Sequence, residues 1–589
     1  MTEHQRAARP APGFVHAAGG VLRGPDGEPL VLRGVGIGNW LLPEGYMWLL
    51  HDGPSSPRGI EALVRDLVGA AAAAEFWTGF RDRFFTEADV ERIAACGYDH
   101  VRLPINSRLV QSDDGALIPA GIAYVDRCID WCRRHGLWVV LDLHGAPGGQ
   151  TGTNIDDSPH GLPELFMVER YRALTVALWT QLAERYRDEP VVAGYDLLNE
   201  PLPDEYQVTY AADLRRLYQD LTAAIRAVDR NHLIIYEGSH WATSWDVFDE
   251  VWDPNSMLQF HKYWSPPDRA SIAQYIDTGR RLGLPIYMGE GGENSVEWIQ
   301  ACFGLYEREG ISWNFWPWKK MATASSPCSV DAPPGWEAVV DHAAGLTARP
   351  APVDSARILA RLLRNMELAS CTWHPEVVNA TLQRVPLRLA GYGFASAAGA
   401  RVPAEAPPQP RPEAPVLVEH LDRVSGASPW APSELERGRA GDVVVHLAGG
   451  ESVTYDVAVP RAGRARPTIE VVLHTRGPAG GPLEVWWGDE RVEGTWQRRS
   501  WRGRVAEVSG PRAALTVVCR GTSLRLRAVD VLLARPAGRP RGTRVGARAG
   551  ARGGTDADAR VAVHARPGAP VDDLRAGARE QRGPQPGSP

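Results

Sequence analysis

The stretch "GYDLLNEPLPDEY", residues 194–206, combines three features in one short segment. Apolar strand formers run up to Leu198, the polar residues Asn199 and Glu200 follow, and Pro201 comes next. A proline has no N–H to donate to a neighbouring strand, so it ends a central strand. The stretch therefore predicts a buried strand that carries a carboxylate at its carboxyl end.

Seven other β-rich segments lie with it between residues 30 and 345, and amphipathic segments separate most of them. Eight apolar strands that alternate with helices predict a parallel sheet covered by helices. That number of strands favours an α/β fold of the (β/α)8 TIM-barrel type over an open sheet. The predicted strands are "VLRGVGIG" (31–38), "YDHVRLP" (98–104), "LWVVLDLHG" (137–145), "VVAGYDLLNE" (191–200), "HLIIYEG" (232–238), "SMLQFHKY" (256–263), "PIYMGE" (285–290) and "ISWNFW" (311–316).

One of the intervening helices has recognisable ends. In "TEADVERIAACG" (86–97), Thr86 is a plausible N-cap and Asp89 follows three residues later. Gly97 closes the segment, as glycine commonly does after a helix. Further helices are expected at 169–188 and, as the last helix of the barrel, at 352–366.

Composition divides the chain into five predicted parts. Residues 402–415 are rich in Pro and Ala, which is typical of a linker. The short alternating strands and Gly/Pro turns that follow predict an all-β, jelly-roll-like sandwich. The last residues are Arg, Ala, Gly and Pro with almost no large apolar side chains, so disorder is expected there. The parts are an N-terminal arm (1–29), the barrel (30–370), a linker (371–415), the sandwich (416–535) and the tail (536–589).

Polar and aromatic residues gather at the predicted carboxyl ends of the strands. Catalytic side chains of a (β/α)8 barrel lie at this end. A core built for stability alone would not collect so many polar groups. The residues are Arg102, Asn106, Asp142, His144, Asn199, Glu200, Glu237, His261, Tyr263, Glu290, Trp316 and Trp318.

Two of these carboxylates suggest a chemistry. Glu200 and Glu290 end the fourth and seventh predicted strands, far enough around the ring to flank a substrate. In glycoside hydrolysis one carboxyl group protonates the leaving oxygen while the other attacks or stabilises the anomeric centre. Arg102 would keep a neighbouring carboxylate ionised. Tyr263 could hold the nucleophile, and Trp316 could form the floor under the reactive sugar.

Six motifs, in register, resemble glycoside hydrolase family 5, the cellulase-type branch of the retaining barrel glycosidases. The resemblance implies that Glu200 is the acid/base catalyst and Glu290 the nucleophile, with net retention of anomeric configuration. It also implies that the subsite at the cleavage point is lined by Arg102, His144, Asn199, His261, Tyr263 and Trp316. The motif "LDLHGAPGGQTG" (141–152) further resembles the exo-β-1,3-glucanase branch. The motifs are "VRLP" (101–104), "LDLHGAPGGQTG" (141–152), "LLNEP" (197–201), "HKY" (261–263), "YMGEGG" (287–292) and "WNFWPWK" (313–319).

Other acids and the histidines have competing interpretations. Glu293 lies past the strand end, where capping the next helix is its expected role. Glu237 lies at a strand tip and could contact sugar. His144 and His261 could be metal ligands, but they lack H-x-H or H-E-x-x-H spacing. We therefore expect them to hydrogen-bond the carboxylates, and we expect no metal and no cofactor.

Bulk properties limit the partners. A net charge of −7 gives no basic surface of the kind that binds nucleic acid. No window holds about twenty apolar residues, so no membrane span is expected. The start "MTEHQRAARPAPGFVHAAGG" lacks the apolar segment of a signal peptide, which predicts a cytoplasmic protein, or a secreted one if the start site is misassigned. The expected partner is a β-linked oligo- or polysaccharide.

The predicted sandwich resembles jelly-roll carbohydrate-binding modules in residues 452–463 and 522–534. Aromatic rings can form a platform for sugar faces, but they are also ordinary core material. The module could thus bind sugar or only pack on the barrel as a stabilising domain. The candidate platform residues are Trp486, Trp487, Trp496 and Trp501. The same two interpretations apply to the barrel residues Trp40, Trp48, Trp241, Trp245 and Trp264.

Together these features predict a retaining β-glycoside hydrolase that cleaves β-glucan or β-linked oligosaccharides through a covalent glycosyl-enzyme intermediate. Two alternatives remain open: a transglycosylase with the same intermediate, and a non-catalytic carbohydrate-binding protein. The paired glutamates argue against the second alternative, because a binding scaffold would not need both.

Overall fold

The computed structural model describes residues 13–399, 411, 413–421, 430, 443–459, 467–476, 481–505, 508 and 510–534. Its first elements, β1 (His16–Ala18) and β2 (Val21–Arg23), form an antiparallel hairpin. Val15 and Leu22 pack against the apolar side chains at the amino-terminal end of the barrel. The described part of the predicted arm therefore closes the bottom of the barrel. Residues 1–12 lie outside the described residues.

A closed barrel of eight parallel strands follows. Its strands are β3 (Arg33–Gly36), β4 (His100–Asn106), β5 (Trp138–Gly145), β6 (Val192–Asp196), β7 (Leu233–Glu237), β8 (Ser256–His261), β9 (Ile286–Gly292) and β10 (Ser312–Trp316). Their order follows the chain, and β10 pairs with β3 to close the ring. All eight correspond to predicted strands, so the expected α/β TIM barrel is confirmed.

Helices surround the barrel and connect most of its strands. They are α1 (Pro57–Val68), α2 (Ala70–Phe84), α3 (Glu87–Cys96), α4 (Ser107–Val110), α5 (Pro119–His135), α6 (Glu164–Met167), α7 (Glu169–Tyr186), α8 (Asp204–Gln207), α9 (Ala211–Val228), α10 (Ala273–Leu282), α11 (Val296–Glu309), α12 (Trp336–Ala343), α13 (Pro352–Asn365) and α14 (Pro375–Thr381). Residues 238–255, between β7 and β8, contain no helix. There His240, Trp241 and Ala242 all have positive φ, a conformation that non-glycine residues seldom adopt.

The predicted ends of α3 are confirmed. The backbone N–H of Thr86 donates to Asp89 Oδ2 at 3.0 Å, and the Thr86 side chain completes the capping box. Gly97 follows the helix with a φ of 92°, in the left-handed region where glycine is favoured. This helix therefore ends where its sequence signals indicate.

Short strands make up the rest of the described chain. They are β11 (Lys319–Met321), β12 (Cys328–Val330), β13 (Thr372–Trp373), β14 (Leu387–Ala390), β15 (Ser396–Ala398), β16 (Leu417–His420), β17 (Val443–Ala448), β18 (Ser452–Ala458), β19 (Ile469–Thr475), β20 (Leu483–Trp487), β21 (Glu490–Arg491), β22 (Gly494–Gln497), β23 (Ser500–Val505), β24 (Arg512–Cys519) and β25 (Ser523–Leu533). Strands β11 to β13 form a small sheet beside the barrel. A seven-stranded sheet and a five-stranded sheet form the expected all-β part.

The region predicted as a linker differs from that expectation. Helix α14 and strands β14 and β15 lie within residues 371–399. Residues 387–390 pair with residues 528–531 of β25, so a partner distant in sequence holds this strand. The two sheets therefore begin well before residue 416. Residues 400–410 and the tail 536–589, where disorder was predicted, lie outside the described residues.

The sheets pack against α11, the helix that follows β9. The backbone N–H of Ala390 donates to Gln300 Oε1 at 3.1 Å, and Gln300 Nε2 donates to Gln383 Oε1 at 3.0 Å. At the far end of the helix, Arg512 pairs with Glu307 at 3.3 Å. The sheets are thereby anchored to the helix behind Glu290. None of the helices in the described residues has the length and apolar character needed to cross a membrane.

Candidate active site

All eight candidate residues from the sequence converge at the carboxyl end of the barrel. Seven are buried, and Tyr263 is partly exposed. They are Arg102 on β4, His144 on β5, Asn199 and Glu200 just after β6, His261 on β8, Tyr263 just after β8, Glu290 on β9 and Trp316 on β10. Strands from around the whole ring thus contribute to one cluster.

Arg102 lies fully buried at the centre of this cluster. Its guanidinium contacts Asp196 at 2.7 Å, Glu237 at 2.9 Å and Asp142 at 3.2 Å. It also donates from Nη1 to Glu290 Oε1 at 2.5 Å. A buried charge needs such partners, because an isolated ion in the interior is strongly destabilising. Arg102 therefore holds four acidic side chains around one fixed positive charge.

Glu290 is held as a carboxylate. Tyr263 Oη donates to Glu290 Oε2 at 3.1 Å, on the oxygen that Arg102 does not occupy. Burial by itself would raise the pKa of Glu290, but the positive charges of His261 and Arg102 outweigh it and lower the pKa. Glu290 is thus ionised and oriented by two donors, as a nucleophile must be.

Glu200 projects from a strained turn. Its φ is 43°, in the left-handed region that costs a non-glycine residue about 1–3 kcal/mol. Its backbone N–H donates to Glu237 Oε2 at 2.6 Å. Its side chain accepts a hydrogen bond from His261 Nδ1 at 2.7 Å. The backbone of Glu200 is therefore fixed by Glu237, and its side chain is fixed by His261.

The two glutamates face each other at short range. One carboxylate oxygen of each, together with a ring nitrogen of His261, lies within 4.8 Å of the others. Retaining glycosidases have their carboxyl groups about 5–5.5 Å apart, whereas inverting enzymes need about 6.5–9.5 Å to admit a water. The spacing of Glu200 and Glu290 fits a retaining site.

Two neighbouring groups in the site, His261 and Glu237, have raised pKa values. Burial lowers the pKa of His261, but the carboxylates of Glu237 and Glu290 outweigh it and raise that pKa well above the ordinary value. Burial also raises the pKa of Glu237 to about 8, even though the charge of His261 opposes the rise. At neutral pH His261 is therefore an imidazolium, and Glu237 takes up a proton more readily than an ordinary glutamate.

His144 has the opposite protonation. Burial, with the charge of Arg102, lowers the pKa of His144 to about 4, although Glu290 opposes the shift. The neutral ring donates from Nδ1 to Asp142 Oδ2 at 2.7 Å, and its Nε2 accepts from the Asn199 amide at 3.3 Å. Asn199 in turn accepts a hydrogen bond from Arg102 at 3.0 Å. This chain fixes the tautomer and the orientation of the imidazole.

Trp316 forms one wall beside His144. The two rings are stacked 5.5 Å apart, with 9° between their planes. A Cβ at Gly36 or Gly38 would come within 2.4 Å or 2.7 Å of the indole, so only glycine lets the ring lie this close to the end of β3. A flat indole in this position suits the C–H face of a sugar ring.

Comparison with known proteins identifies this architecture. Residues 68–322 match the family model of cellulase, glycosyl hydrolase family 5. The barrel is therefore similar to the cellulases of glycosyl hydrolase family 5.

Curated relatives of the barrel are named as β-glycoside hydrolases. A β-xylosidase of Phanerodontia chrysosporium is 29% identical over 347 residues, which cover 52% of this chain and 71% of that protein. A probable glucan 1,3-β-glucosidase A of Neosartorya fischeri is 30% identical over 273 residues, covering 44% of this chain and 64% of that protein. The solved structure of an endogalactoceramidase aligns over 86% of this chain and 99% of that chain, with 18% identity and a TM-score of 0.44.

The site also contains three residues that sequence reasoning did not single out, namely Glu44, Tyr46 and Lys320. Burial, reinforced by the charges of Glu290 and Glu293, raises the pKa of Glu44 well above its ordinary value. Tyr46 Oη accepts from Trp316 Nε1 at 3.0 Å, and Lys320 Nζ lies 4.7 Å from the Tyr46 ring centroid. The signal for Glu44 was a single acid within the apolar and aromatic segment "GNWLLPEGYMW" (38–48).

Two expectations about acids were wrong. Glu293 does not cap the next helix, because Ser295 is the N-cap of α11 and accepts from the Trp298 N–H at 3.2 Å. Glu293 instead forms an ion pair with Lys320 at 2.7 Å. Glu237 is completely buried beneath Glu200, so its carboxyl group supports the site instead of contacting sugar.

The proposed tryptophan platforms also need correction. Trp487 and Trp501 are buried in the core of the sheets, so the four sandwich tryptophans do not form one exposed platform. Trp486 and Trp496 are half-buried. In the barrel, Trp40, Trp48 and Trp245 are core residues, Trp241 is half-buried and Trp264 is 48% exposed.

Glu200, His261 and Glu290 also have the spacing of a possible metal site. The chemistry of the donors does not suit a cation. Arg102 and the imidazolium of His261 already place two positive charges beside Glu290. A divalent ion there would meet like charges instead of a purely anionic ligand set.

Proposed function

We propose that Glu290 is the nucleophile and Glu200 the acid/base catalyst of a retaining β-glycoside hydrolase acting on β-glucan or related β-linked oligosaccharides. The observation that carries this proposal is the pair of carboxylate oxygens within 4.8 Å, one belonging to a glutamate that Arg102 keeps ionised. The short separation leaves room for direct attack but not for an intervening water.

In the first step a Glu290 oxygen attacks the anomeric carbon and the bond from that carbon to the leaving oxygen breaks. Glu200 gives its proton to the leaving oxygen, and a glycosyl ester on Glu290 remains. In the second step a water attacks the same carbon, Glu200 takes a proton from that water, and the ester bond breaks. The two inversions leave the anomeric configuration unchanged.

The other polar residues have roles consistent with this chemistry. Tyr263 and Arg102 hold the two oxygens of Glu290, so the carboxylate does not rotate away from the sugar. Trp316 supports the apolar face of the sugar, and the neutral His144, which stacks on Trp316, holds the indole in place. Glu44, with a buried oxygen that lacks a hydrogen-bond partner among the described residues, is suited to accept from a sugar hydroxyl.

The segments after β5 and β6, at the same end of the barrel as Glu200, expose apolar side chains. Leu162, Met167 and Val168 are 38–40% exposed, and Val208 is 86% exposed. Glu200 protonates the leaving oxygen, so residues that follow its strand border the leaving group. We therefore expect aglycones with apolar parts, such as aryl groups, to be accepted.

The test is hydrolysis of aryl β-glycosides and of β-1,3-, β-1,4- and β-1,6-linked glucose oligosaccharides, with the anomeric product followed by NMR. Initial release of β-product by the wild type, lost in Glu290→Gln, supports the proposal. An α-product would contradict the retaining mechanism. Full activity in both Glu290→Gln and Glu200→Gln would contradict the assignment of the residues.

A further inference from the structure

A cavity of about 470 Å³ lies where the barrel meets the sheets. Its barrel side is formed by the three segments that follow β3, β9 and β10. Its sheet side includes Arg388 on β14. Ligand pockets commonly have volumes of about 300–1,000 Å³ and often lie between domains. The reaction steps proposed above make no use of this cavity.

The cavity lies on the side of the barrel opposite the acid catalyst. In the closed ring of eight strands, β10 and β6 are four strands apart, so they face each other across the barrel. Glu200 follows β6, whereas the cavity is built around the end of β10. Because Glu200 protonates the leaving oxygen, the leaving group borders β6, and the rest of the glycan continues towards β10. The cavity is therefore placed where further sugars of the retained part, the glycone, would lie.

Tyr46 connects the cavity with the proposed sugar platform. It lines the cavity, and its hydroxyl accepts a hydrogen bond from Trp316 Nε1 at 3.0 Å. Aromatic rings are suited to pack against the apolar faces of sugars. One side chain thus separates the indole under the reactive sugar from the cavity, so adjacent sugars of one chain could occupy both places.

Lys320 is a buried cation with unused hydrogen-bond donors. It is 7% exposed, and it lines the cavity. Its ammonium donates to Glu293 Oε1 at 2.7 Å, and it has no second acceptor among the described residues. An ammonium carries three N–H donors. Lys320 can therefore donate to a ligand in the cavity while it keeps its ion pair.

The other polar groups of the lining suit a neutral ligand. Arg388 Nε lies 3.3 Å from the carboxylate of Glu297, which also lines the cavity. Thr323 and Ser325 add two hydroxyl groups, which lie 2.9 Å apart. A lining of paired charges and hydroxyl groups offers both donors and acceptors, as the hydroxyl groups of a neutral sugar require.

We propose that this cavity is a glycone subsite for the second sugar of a neutral β-linked glycan, held jointly by Lys320 of the barrel and Arg388 of the sheets. This inference rests on the proposed function and deepens it, because it makes a disaccharide or longer unit the preferred glycone. It also assigns the all-β part a role in substrate binding, although its tryptophans do not form one platform.

The first experiment compares glycones of one and two sugars. The substrates are nitrophenyl β-glucoside and the nitrophenyl β-glycosides of the β-1,3-, β-1,4- and β-1,6-linked glucose disaccharides, and the released sugar is identified by chromatography. We expect kcat/KM to be at least about tenfold higher for one of the disaccharide substrates, which should release the intact disaccharide. If nitrophenyl β-glucoside is cleaved as efficiently as all three, the proposal is wrong.

Variants locate the second sugar. Arg388→Ala and, separately, Thr323→Trp, which fills part of the cavity, should each lower the ratio of disaccharide to monosaccharide kcat/KM about fivefold or more. Arg502→Ala is the matched control and should leave the ratio unchanged. Arg502 also lies on the sheets, its side chain is 45% exposed against 43% for Arg388, and it pairs with Glu470 at 3.2 Å. A purely structural role of Arg388 would lower kcat/KM for both substrates alike, and an unaltered ratio in both cavity variants would refute the site.

A binding measurement separates this inference from the proposed function. The full-length Glu290→Gln protein is titrated with methyl β-glucoside and with the methyl β-glycosides of the three disaccharides, so no turnover is needed. Tighter binding of one disaccharide, weakened by Arg388→Ala, would support the subsite even if the wild type hydrolysed no substrate, and that absence of hydrolysis would contradict the proposed function alone. Equal binding of all four glycosides, with equal hydrolysis or none, would overturn the subsite.

Discussion

The carboxyl group of Glu237 accepts a hydrogen bond of 2.6 Å from the backbone N–H of Glu200, whose φ is 43°. A non-glycine residue in this region is strained, so it persists only when its surroundings fix it. Glu237 fixes the Glu200 backbone through this hydrogen bond, and it also contacts Arg102. In the proposed mechanism Glu237 acts on the reaction through Glu200 and is therefore a positioning residue.

Replacing Glu237 with alanine should remove the acceptor for the Glu200 N–H. An unpaired buried donor costs about 1–3 kcal/mol, which here disfavours the productive turn. We expect kcat to fall about tenfold to a hundredfold with little change in KM, measured with an aryl β-glycoside. Glu237→Gln keeps a carbonyl oxygen at this place and should lose less. Equal losses in the two variants would contradict the positioning role.

The raised pKa of Glu237 also predicts how stability changes with pH. This carboxyl group titrates near 4.5 when unperturbed and at about 8 in the folded protein, so the folded state binds the proton more tightly. The contribution of Glu237 to the stability of the folded protein is fully present below pH 4.5 and is lost as the pH rises through 8. His261, with a pKa raised above 6.5, acts in the same direction at higher pH. We expect the melting temperature to fall as the pH rises from 6.5 to 9.

His144 determines the pH above which this fall in melting temperature begins. Its pKa falls from 6.5 to about 4 on folding, so its contribution is present above pH 6.5 and is lost as the pH falls through 4. Between pH 4.5 and 6.5 it opposes Glu237, and the melting temperature should change little. Glu237→Gln cannot titrate and should flatten the decline above pH 6.5 in a differential scanning calorimetry series. A decline as steep as in the wild type would refute the assignment.

The lowered pKa of Glu290 predicts the acid limb of the pH–activity profile. The charge of His261 is the largest contribution that lowers this pKa against burial. His261→Gln should therefore move the acid limb of kcat/KM to higher pH, because Glu290 takes up a proton more readily. Tyr263→Phe removes a hydrogen bond from Glu290 but no charge, and should move the limb less. An identical limb in His261→Gln and wild type would contradict this electrostatic role.

Chelators should leave activity unchanged. Glu200, His261 and Glu290 lie close enough to hold an ion, but Arg102 and His261 already supply the positive charge that the carboxylates need. We expect kcat/KM after dialysis against EDTA to equal that before it. Restoration of lost activity by one divalent metal would show that the triad binds a catalytic ion.

The sequence predicts the barrel well because the signals for its strands are local. Apolar, β-rich runs mark all eight strands, several of them end in polar residues, and the carboxyl ends of parallel strands meet at one end of the barrel. For this reason the sequence alone predicts that Glu200 and Glu290 flank one site. The Thr86 and Asp89 capping box is equally local, since both residues lie within one helical turn.

The predictions from sequence fail where the structure depends on partners that are distant in the sequence. Residues 387–390 read as part of a linker, yet they form a strand because β25 pairs with them. The capping role expected for Glu293 fails because the backbone turns at Glu293 and the helix begins after Ser295. Its ion pair with Lys320 joins the segment after β9 to β11 of the small sheet and leaves no local pattern in the sequence.

Glu44 offers a test that separates binding from stability. Its side chain is 2% exposed, and its Oε1 has no hydrogen-bond partner among the described residues. Such a group destabilises the free protein by about 1–3 kcal/mol, and a sugar hydroxyl would satisfy it. Glu44→Leu should therefore raise the melting temperature while it raises KM for a β-glycoside about tenfold or more. Glu44→Gln keeps an acceptor, so its KM should lie between those of the wild type and Glu44→Leu. If Glu44→Leu lowers the melting temperature and leaves KM unchanged, Glu44 supports the fold and does not bind the sugar.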